Sequence, residues 1–304
     1  MTASVAILPA DRDGFERDVT AGGGVVSSAD RADAIIYTDA RDPGLLAEVL
    51  ASSPARWIQL PFAGVEPFFD AGVIDDAHIW TCAKGIYGES TAEHALALLL
   101  ACARSLPHHA RTRRWKPTGD ERRLGDATIL VVGTGGIGRA LMAMLGPLGA
   151  RVVAVNRSGR PLAGALRTEP VSRIGELVRA ADFIVLALAL TGETHHLFGP
   201  DLLADMKPGA WLVNVGRGGL VDTGALVDAL RAESIGGAAL DVTDPEPLPA
   251  EHPLWGLDNA LVTPHVANTW SMALPELRGL IRRNVERFAQ GAELEGVVDP
   301  ELGY

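Results

Sequence analysis

Three side chains suited to acid–base and anion-binding chemistry follow predicted buried strands in the second half of the chain. Arg217 stands between two glycines, Glu246 between two prolines, and His265 directly after Thr263-Pro264. A guanidinium can hold a carboxylate through two parallel hydrogen bonds, and a histidine can transfer a proton near neutral pH. If Glu246 reaches His265, its carboxylate favours the imidazolium that a general acid requires. Taken singly, a surface arginine, an acidic turn and a structural histidine would explain the same residues.

A second group, Gly133-Thr134-Gly135-Gly136-Ile137-Gly138, follows the apolar run at 129–132. This spacing predicts a strand, a tight glycine turn and a helix whose N-terminus faces a pyrophosphate. Gly133 permits the turn, Gly135 lets phosphates approach the backbone, and Gly138 lets the helix pack closely. An apolar stripe supports the helix, and Gly149 would end it. The members of that stripe are Ile137, Leu141, Met144 and Leu148. We interpret the segment as a dinucleotide site rather than a purely structural turn.

The next strand ends in Asn156-Arg157-Ser158, followed by Arg160. NAD-specific sites place an acidic residue about 20 residues past the glycine turn, where it accepts hydrogen bonds from the ribose hydroxyls. Here the carboxylate is replaced by an amide, and Arg157 and Ser158 could bind a 2′-phosphate. The sequence therefore favours NADP(H) over NAD(H).

These candidates belong to two series of alternating strands and helices. Short apolar runs predict strands at 4–8, 33–37, 56–60 and 79–83, and then at 128–132, 152–155, 183–187, 211–215, 238–242 and 261–263. Helices are predicted at 45–51, at 91–103, where the run is apolar nearly all round, and at 271–290. The alternation predicts an α/β protein with two parallel sheets. The last helix follows the second sheet, so we expect it to return to the first domain.

Composition narrows the function classes. The 304 residues are 47% hydrophobic and 21% charged, with a net charge of −11, which argues against nucleic acid as a partner. One basic cluster is interpreted as a solvated helix end: Arg111, Arg113, Arg114 and Lys116. Cys82 and Cys102 suggest reduced core thiols, and neither a signal peptide nor a membrane span is evident. We expect a cytoplasmic protein that does not bind membranes.

Taken together, these motifs resemble the D-isomer-specific 2-hydroxyacid dehydrogenase family over nearly the whole chain. The resemblance rests on the glycine turn, the strand and loop at 181–188, the Gly-Arg-Gly segment, the loop from Asp241 to Pro247 and Thr263-Pro264-His265. It implies that Arg217 binds a 2-oxoacid, that Glu246 supports the histidine, and that His265 is the acid/base. It also implies a dinucleotide-binding Rossmann domain, residues 101–274, inserted in a smaller flavodoxin-like substrate domain, residues 1–100 with 275–304.

The same resemblance assigns further site residues. The loop containing Ala63 and Gly64 would hold the substrate carboxylate with backbone N–H groups. Lys84 stands where relatives often have arginine, so it receives no catalytic role. Cofactor contacts are also expected from Arg217 and His265, from Thr194 in the loop after Leu188, and from four residues at strand ends: Leu188, Val215, Gly216 and Asp241.

The expected reaction is reduction of a small 2-oxoacid of the glyoxylate or hydroxypyruvate type. The resemblance also implies that the protein is a homodimer. Some similar proteins are instead dinucleotide-sensing corepressors, and this alternative stays open. No metal is expected, because adjacent histidines such as His108-His109 and His195-His196 usually point in different directions, and no carboxylate spacing completes a site.

Overall fold

The structure is a computed structural model and describes residues 2–39, 41–113, 115–117 and 120–300. Arg114, one member of the predicted basic cluster, lies outside these residues. The chain divides into two compact units. Unit 1 comprises Met1–Tyr87 and Trp270–Tyr304, and unit 2 comprises Gly88–Thr269.

Unit 1 contains a five-stranded sheet in the order β2-β1-β3-β4-β5, whose recorded strand pairs are all parallel. Its strands are β1 (Ser4–Leu8), β2 (Val25–Val26), β3 (Ala34–Tyr37), β4 (Trp57–Gln59) and β5 (Ile79–Thr81). Its helices are α1 (Glu16–Ala21), α2 (Pro43–Leu50), α3 (Glu66–Asp70) and α10 (Trp270–Gln290). This is the flavodoxin-like strand order that was expected. The sequence missed β2, a pair of exposed valines at the edge of the sheet.

Helix α10 belongs to unit 1, as its position after the second sheet predicted. It packs against α1, and its apolar stripe buries Leu277, Ile281 and Val285 against the core around Phe15. Burial of this stripe explains why the chain returns to the first sheet after completing the second.

Unit 2 contains a seven-stranded sheet in the order β12-β11-β10-β9-β6-β7-β8, again with parallel pairs. Its strands are β6 (Thr128–Val132), β7 (Arg151–Asn156), β8 (Arg167–Pro170), β9 (Phe183–Leu186), β10 (Trp211–Asn214), β11 (Gly237–Leu240) and β12 (Ala260–Val262). Its helices are α4 (Gly88–Ala103), α5 (Leu106–Arg111), α6 (Gly136–Leu145), α7 (Ile174–Val178), α8 (Pro200–Ala204) and α9 (Thr223–Arg231). The order reverses between β6 and β9, which is the point where doubly wound sheets bind dinucleotides.

The unit boundaries differ from those expected. The chain passes from unit 1 to unit 2 after Tyr87 instead of residue 100, and returns at Trp270 instead of 275. The reason is tertiary packing, because α4 packs against α6 and against strands β10 and β11 of the second unit. A sequence pattern that shows only an apolar helix does not reveal which sheet receives it.

Two helix surfaces that are apolar in the sequence are partly exposed in the structure. On α6, Leu141 is buried, but Leu148 is 42% exposed, because the helix tightens into a 3-10 turn at Gly146–Leu148 and Leu145 takes the buried position. Helix α4 is not buried all round, since Leu100 is 40% exposed. Within the described residues, no helix is long and apolar enough to cross a membrane.

Candidate active site in the second unit

His265 and Glu246 are in direct contact. The Nδ1 atom of His265 lies 2.7 Å from the Oε1 atom of Glu246, and both side chains are about half exposed, at 50% and 43%. His265 has a left-handed backbone, φ 52°, and its N–H donates to the Asp241 carbonyl at 2.8 Å. With Nδ1 occupied by the carboxylate, Nε2 is the ring nitrogen left to exchange a proton with a ligand.

Asp241 holds the loop that presents His265. Its buried carboxylate accepts hydrogen bonds from the Thr263 hydroxyl at 2.7 Å and from the N–H groups of Val266 and Ala267 at 2.9 Å each. His94 of α4 lies 3.3 Å from the same carboxylate. Burial alone would raise the pKa of Asp241, but these hydrogen bonds together lower that pKa to about 2. The predicted cofactor contact of Asp241 stays a prediction, since its carboxylate is engaged within the protein.

Arg217 lies in a turn that is fixed from both sides. The Asn214 side chain donates to the Arg217 carbonyl at 2.8 Å and accepts from the Gly216 N–H at 3.0 Å. A Cβ at Gly218 would overlap the Thr243 carbonyl, so this turn packs directly on the loop that leads to Glu246. Arg217 is half-buried, and its Nη1 donates to the Gly216 carbonyl at 2.9 Å. The turns that carry Arg217 and Glu246 are therefore neighbours.

The glycine turn has the form that was predicted. Gly133 has φ +104°, and a Cβ there would overlap the Ala187 carbonyl at the end of β9. A Cβ at Gly138 would overlap the Gly133 carbonyl, which explains the close approach of α6 to the turn. Nothing lies within 4 Å of a Cβ built on Gly135, the residue before α6. Open space beside the N-terminus of a helix is what a pyrophosphate requires, so these residues fit a dinucleotide. Gly136 and Ile137 form the first turn of α6.

At the end of β7, the Asn156 side chain closes a short turn by accepting from the Ser158 N–H at 3.2 Å and donating to the Arg160 carbonyl at 3.0 Å. Arg157 and Ser158 are exposed. The Arg157 guanidinium lies 3.6 Å from the Glu193 carboxylate, in a weak surface ion pair. No carboxylate occupies the strand end itself at Asn156, and two polar side chains next to it are accessible to a ligand.

The remaining predicted cofactor residues lie at the ends of β9 and β10. Leu188 is partly buried, and Val215 and Gly216 are buried directly after β10. The Thr194 hydroxyl is used within its own turn, donating to the Ala189 carbonyl and accepting from the Thr191 N–H, each at 2.8 Å. Cofactor contacts by these residues stay predictions.

The predicted carboxylate-binding loop belongs to unit 1. Ala63 and Gly64 are half-buried between β4 and α3, and the neighbouring Phe62 carbonyl accepts from the Ala83 N–H at 3.1 Å. Phe62 is exposed beside Trp270, with ring centroids 5.5 Å apart. Lys84 is exposed. Substrate binding by Ala63 and Gly64 stays a prediction.

Sequence reasoning missed two contributors. The sequence predicts no role for His94, yet its ring lies 3.3 Å from the Asp241 carboxylate. Arg139 was not considered, although its Nε donates to the Thr134 carbonyl at 3.0 Å within the glycine turn. Arg139 could have been found from the sequence, because it is a basic residue in the first turn of the helix that follows the glycine turn. No local sequence pattern indicates the contact made by His94.

One adjacent histidine pair departs from the expectation that such rings point in different directions. The rings of His108 and His109 meet edge to face, with centroids 5.6 Å apart and an interplanar angle of 80°, whereas the rings of His195 and His196 are stacked with centroids 3.9 Å apart. Asp244 lies beside them, so a carboxylate is present that sequence spacing did not reveal.

Comparison with known proteins agrees with this geometry. Residues 96–267 match the family described as D-isomer specific 2-hydroxyacid dehydrogenase, NAD binding domain. The chain belongs to this family. It is also 36% identical over 234 residues to a glyoxylate reductase of Aeropyrum pernix, covering 73% of this chain and 70% of that protein.

Two solved structures of family members extend the likeness to the whole chain. One, a D-isomer specific 2-hydroxyacid dehydrogenase family protein from Aeromonas salmonicida, is 32% identical with a TM-score of 0.83, covering 99% of this chain and all of that one. The other, a D-isomer specific 2-hydroxyacid dehydrogenase from Xanthobacter autotrophicus in complex with NADPH and MES, is 25% identical with a TM-score of 0.88 and full coverage of both chains.

Membership of this family establishes the general activity of the protein. The protein is an oxidoreductase that acts on CH–OH groups with a nicotinamide dinucleotide, in the glyoxylate reductase-like branch of the 2-hydroxyacid dehydrogenases. Members of the family bind small 2-oxoacids.

Proposed function

We propose that this dehydrogenase reduces a small 2-oxoacid of the glyoxylate or hydroxypyruvate type to the D-2-hydroxyacid, reversibly and with NADPH as the preferred reductant. The observation that carries the proposal is the 2.7 Å contact between His265 and Glu246. A paired carboxylate and imidazole at a strand end form an acid/base whose charged state is stabilised by its neighbour.

Each residue has a distinct role in the proposed reaction. A bound reduced nicotinamide supplies the hydride that forms the new C–H bond at the carbonyl carbon. His265 donates the proton that forms the new O–H bond, while Glu246 holds the ring and stabilises its cationic form. Arg217 binds the substrate and polarises the carbonyl, a task suited to a planar guanidinium. Binding of the substrate carboxylate by the backbone of Ala63 and Gly64 belongs to the same proposal.

The preference for NADPH rests on the end of β7. An acidic side chain at Asn156 would repel a 2′-phosphate, and its absence removes that repulsion. Arg157 and Ser158 supply a cation and a hydroxyl on the exposed turn that follows. The Xanthobacter relative is described in complex with NADPH.

Steady-state kinetics test the proposal. NADPH and NADH oxidation would be measured against glyoxylate, hydroxypyruvate, pyruvate and phenylpyruvate, with the product configuration determined by chiral chromatography. We expect the largest kcat/KM for glyoxylate or hydroxypyruvate with NADPH, and a D product from hydroxypyruvate. Tight dinucleotide binding without turnover of any 2-oxoacid would instead support the corepressor-like alternative, and a clear preference for NADH would overturn the cofactor assignment.

We also propose that the chain forms a homodimer through α4, α5 and the basic segment that follows. Three large apolar side chains are exposed on this stretch, which favours an interface. They are Leu100, Leu106 and Trp115. Light scattering after size exclusion should give twice the chain mass, and a monomer at micromolar concentration would contradict the proposal.

A further inference from the structure

His195 and His196 lie side by side on the exposed loop after β9. Their rings are stacked, with centroids 3.9 Å apart and an interplanar angle of 24°. Both residues lie in a turn, and His196 has a left-handed backbone conformation with φ +51°.

The backbone that carries the two rings is held in place. The Thr194 hydroxyl closes the preceding turn, as described above. The His196 N–H donates to the Gly219 carbonyl at 2.8 Å, and Phe198 forms a parallel bridge with Val221. Because these bonds tie the loop to the segment after β10, the two imidazoles are positioned before any ligand arrives.

A third potential ligand comes from another loop. Asp244 follows β11, and its carbonyl accepts from the Thr223 hydroxyl at 2.7 Å. One ligand atom from each of Asp244, His195 and His196 lies within 4.8 Å of the other two. All three side chains are exposed, so an ion from solvent can reach them.

We propose that His195, His196 and Asp244 form a binding site for a divalent transition-metal ion of the Zn²⁺ or Ni²⁺ class. Two neutral imidazoles and one carboxylate suit such ions, whereas Mg²⁺ and Ca²⁺ prefer oxygen ligands throughout. Small side-chain rotations would bring the three atoms to coordination distance, and water would complete the coordination shell. A bound ion would join the loop after β9 to the loop that carries Glu246.

The test is calorimetric titration of tag-free, chelator-stripped full-length protein with ZnCl₂, NiCl₂ or MgCl₂ alone. We expect one saturable site per chain for Zn²⁺ and Ni²⁺ and none for Mg²⁺. Loss of even an outer partner of a metal ligand commonly costs 10- to 100-fold, so H195A, H196N and D244N should each weaken binding by about tenfold or more. Asparagine is chosen at 196 because it tolerates a left-handed backbone.

The other adjacent pair supplies the matched control. The double variant H108A/H109A removes two neighbouring histidines that meet edge to face and belong to no such three-ligand group among the described residues, so it should bind Zn²⁺ and Ni²⁺ as the wild type does. A thermal unfolding scan gives a second readout, since an ion that binds only the native state raises Tm in the wild type and in this control. Absence of saturable binding, binding unchanged in H195A, H196N and D244N, or binding lost in the control would each overturn the proposal.

Discussion

Glu246 and His265 lie on loops that follow two adjacent strands, β11 and β12, and meet through a 2.7 Å contact between Oε1 and Nδ1. The contact is about half exposed, so its geometry depends on the loops rather than on burial. Asp241 fixes the position of the His265 loop, because its carboxylate accepts hydrogen bonds from the two backbone N–H groups that follow His265.

Separate substitutions of His265 and Glu246 should distinguish proton transfer by the histidine from the positioning of its ring by the glutamate. We expect H265Q to lower kcat for 2-oxoacid reduction by about 10²- to 10⁴-fold, the usual contribution of general acid catalysis. E246Q keeps the size of the side chain but removes the charge that holds the His265 ring, so kcat should fall by less than in H265Q. The measurement is kcat at saturating 2-oxoacid and cofactor. E176Q, which changes an exposed glutamate paired with Arg173, should leave kcat unchanged. Near wild-type turnover by H265Q would remove the acid/base assignment.

Arg217 should not tolerate lysine. An ammonium cannot reproduce two parallel hydrogen bonds to a substrate, and each hydrogen bond to a charged group contributes about 1.5–3 kcal/mol. We expect R217K to lower kcat/KM for the 2-oxoacid by about 10- to 100-fold while Tm changes little. R179K alters a comparable two-pronged surface pair, with Asp205, and serves as the control. Equal kinetic effects of the two variants would contradict a substrate-binding role.

Two glycines of the same turn should fail in different ways. A Cβ at Gly138 overlaps the Gly133 carbonyl, so G138A should lower Tm and the free energy of unfolding. A Cβ at Gly135 meets open space, so G135A should fold normally yet obstruct the phosphates. Thermal unfolding paired with fluorescence titration of NADPH distinguishes the two effects. Unchanged NADPH affinity in G135A would mean that the pyrophosphate does not approach that residue.

Arg157 should control cofactor choice. Loss of one charge-assisted hydrogen bond to the 2′-phosphate should lower kcat/KM for NADPH by about tenfold or more in R157A, with little change for NADH. E193Q removes the carboxylate 3.6 Å from Arg157 and should favour NADPH slightly further. R167A, which removes an exposed arginine paired with Glu169, is the control. A parallel fall for both cofactors in R157A would indicate a general binding effect instead.

Asp241 should couple stability to pH. Its folded-state pKa of about 2 lies below the unfolded value of about 3.9, so its stabilising effect is present above about pH 4 and is lost as the pH falls toward 2. D241N should therefore show a smaller loss of unfolding free energy between pH 4 and pH 2 than the wild type. Urea unfolding at several pH values measures this difference.

D241N should also disturb the loop of His265 and lower kcat. Partial burial would raise the pKa of Asp182, but hydrogen bonds from the Thr128 N–H and Lys207 lower it, and Asp182 lies before β9, at the opposite end of the strands from His265. D182N should thus alter stability without lowering kcat. A loss of kcat in D182N as large as that in D241N would argue against a specific role for Asp241.

Local patterns were sufficient for most of this architecture. The glycine turn and the buried strands could be predicted because each depends on a short stretch of chain. Strand β8 was missed because it is polar and lies at the sheet edge, where no apolar pattern is required. The exposure of Leu148 was missed because the helix changes from α to 3-10 geometry at Gly146.

Relationships between distant segments could not be predicted in this way. The contact of His94 with Asp241 depends on where α4 crosses the sheet, and sequence shows only an apolar helix. The stacking of His195 and His196 depends on one left-handed residue, and the proximity of Asp244 depends on the order of strands β9, β10 and β11. Such features follow from the fold and become visible only with it.

The hydrogen bond between the Ser90 hydroxyl and the Asn268 side chain, at 2.8 Å, joins residues near the two ends of unit 2. A second contact, between His94 and Thr263, also holds the first and last segments of this unit close together. When the two ends of an inserted unit lie close together, no long connecting segment is needed on either side of it. Loops and helices within unit 2 can therefore change in length without moving the two points at which the chain enters and leaves it.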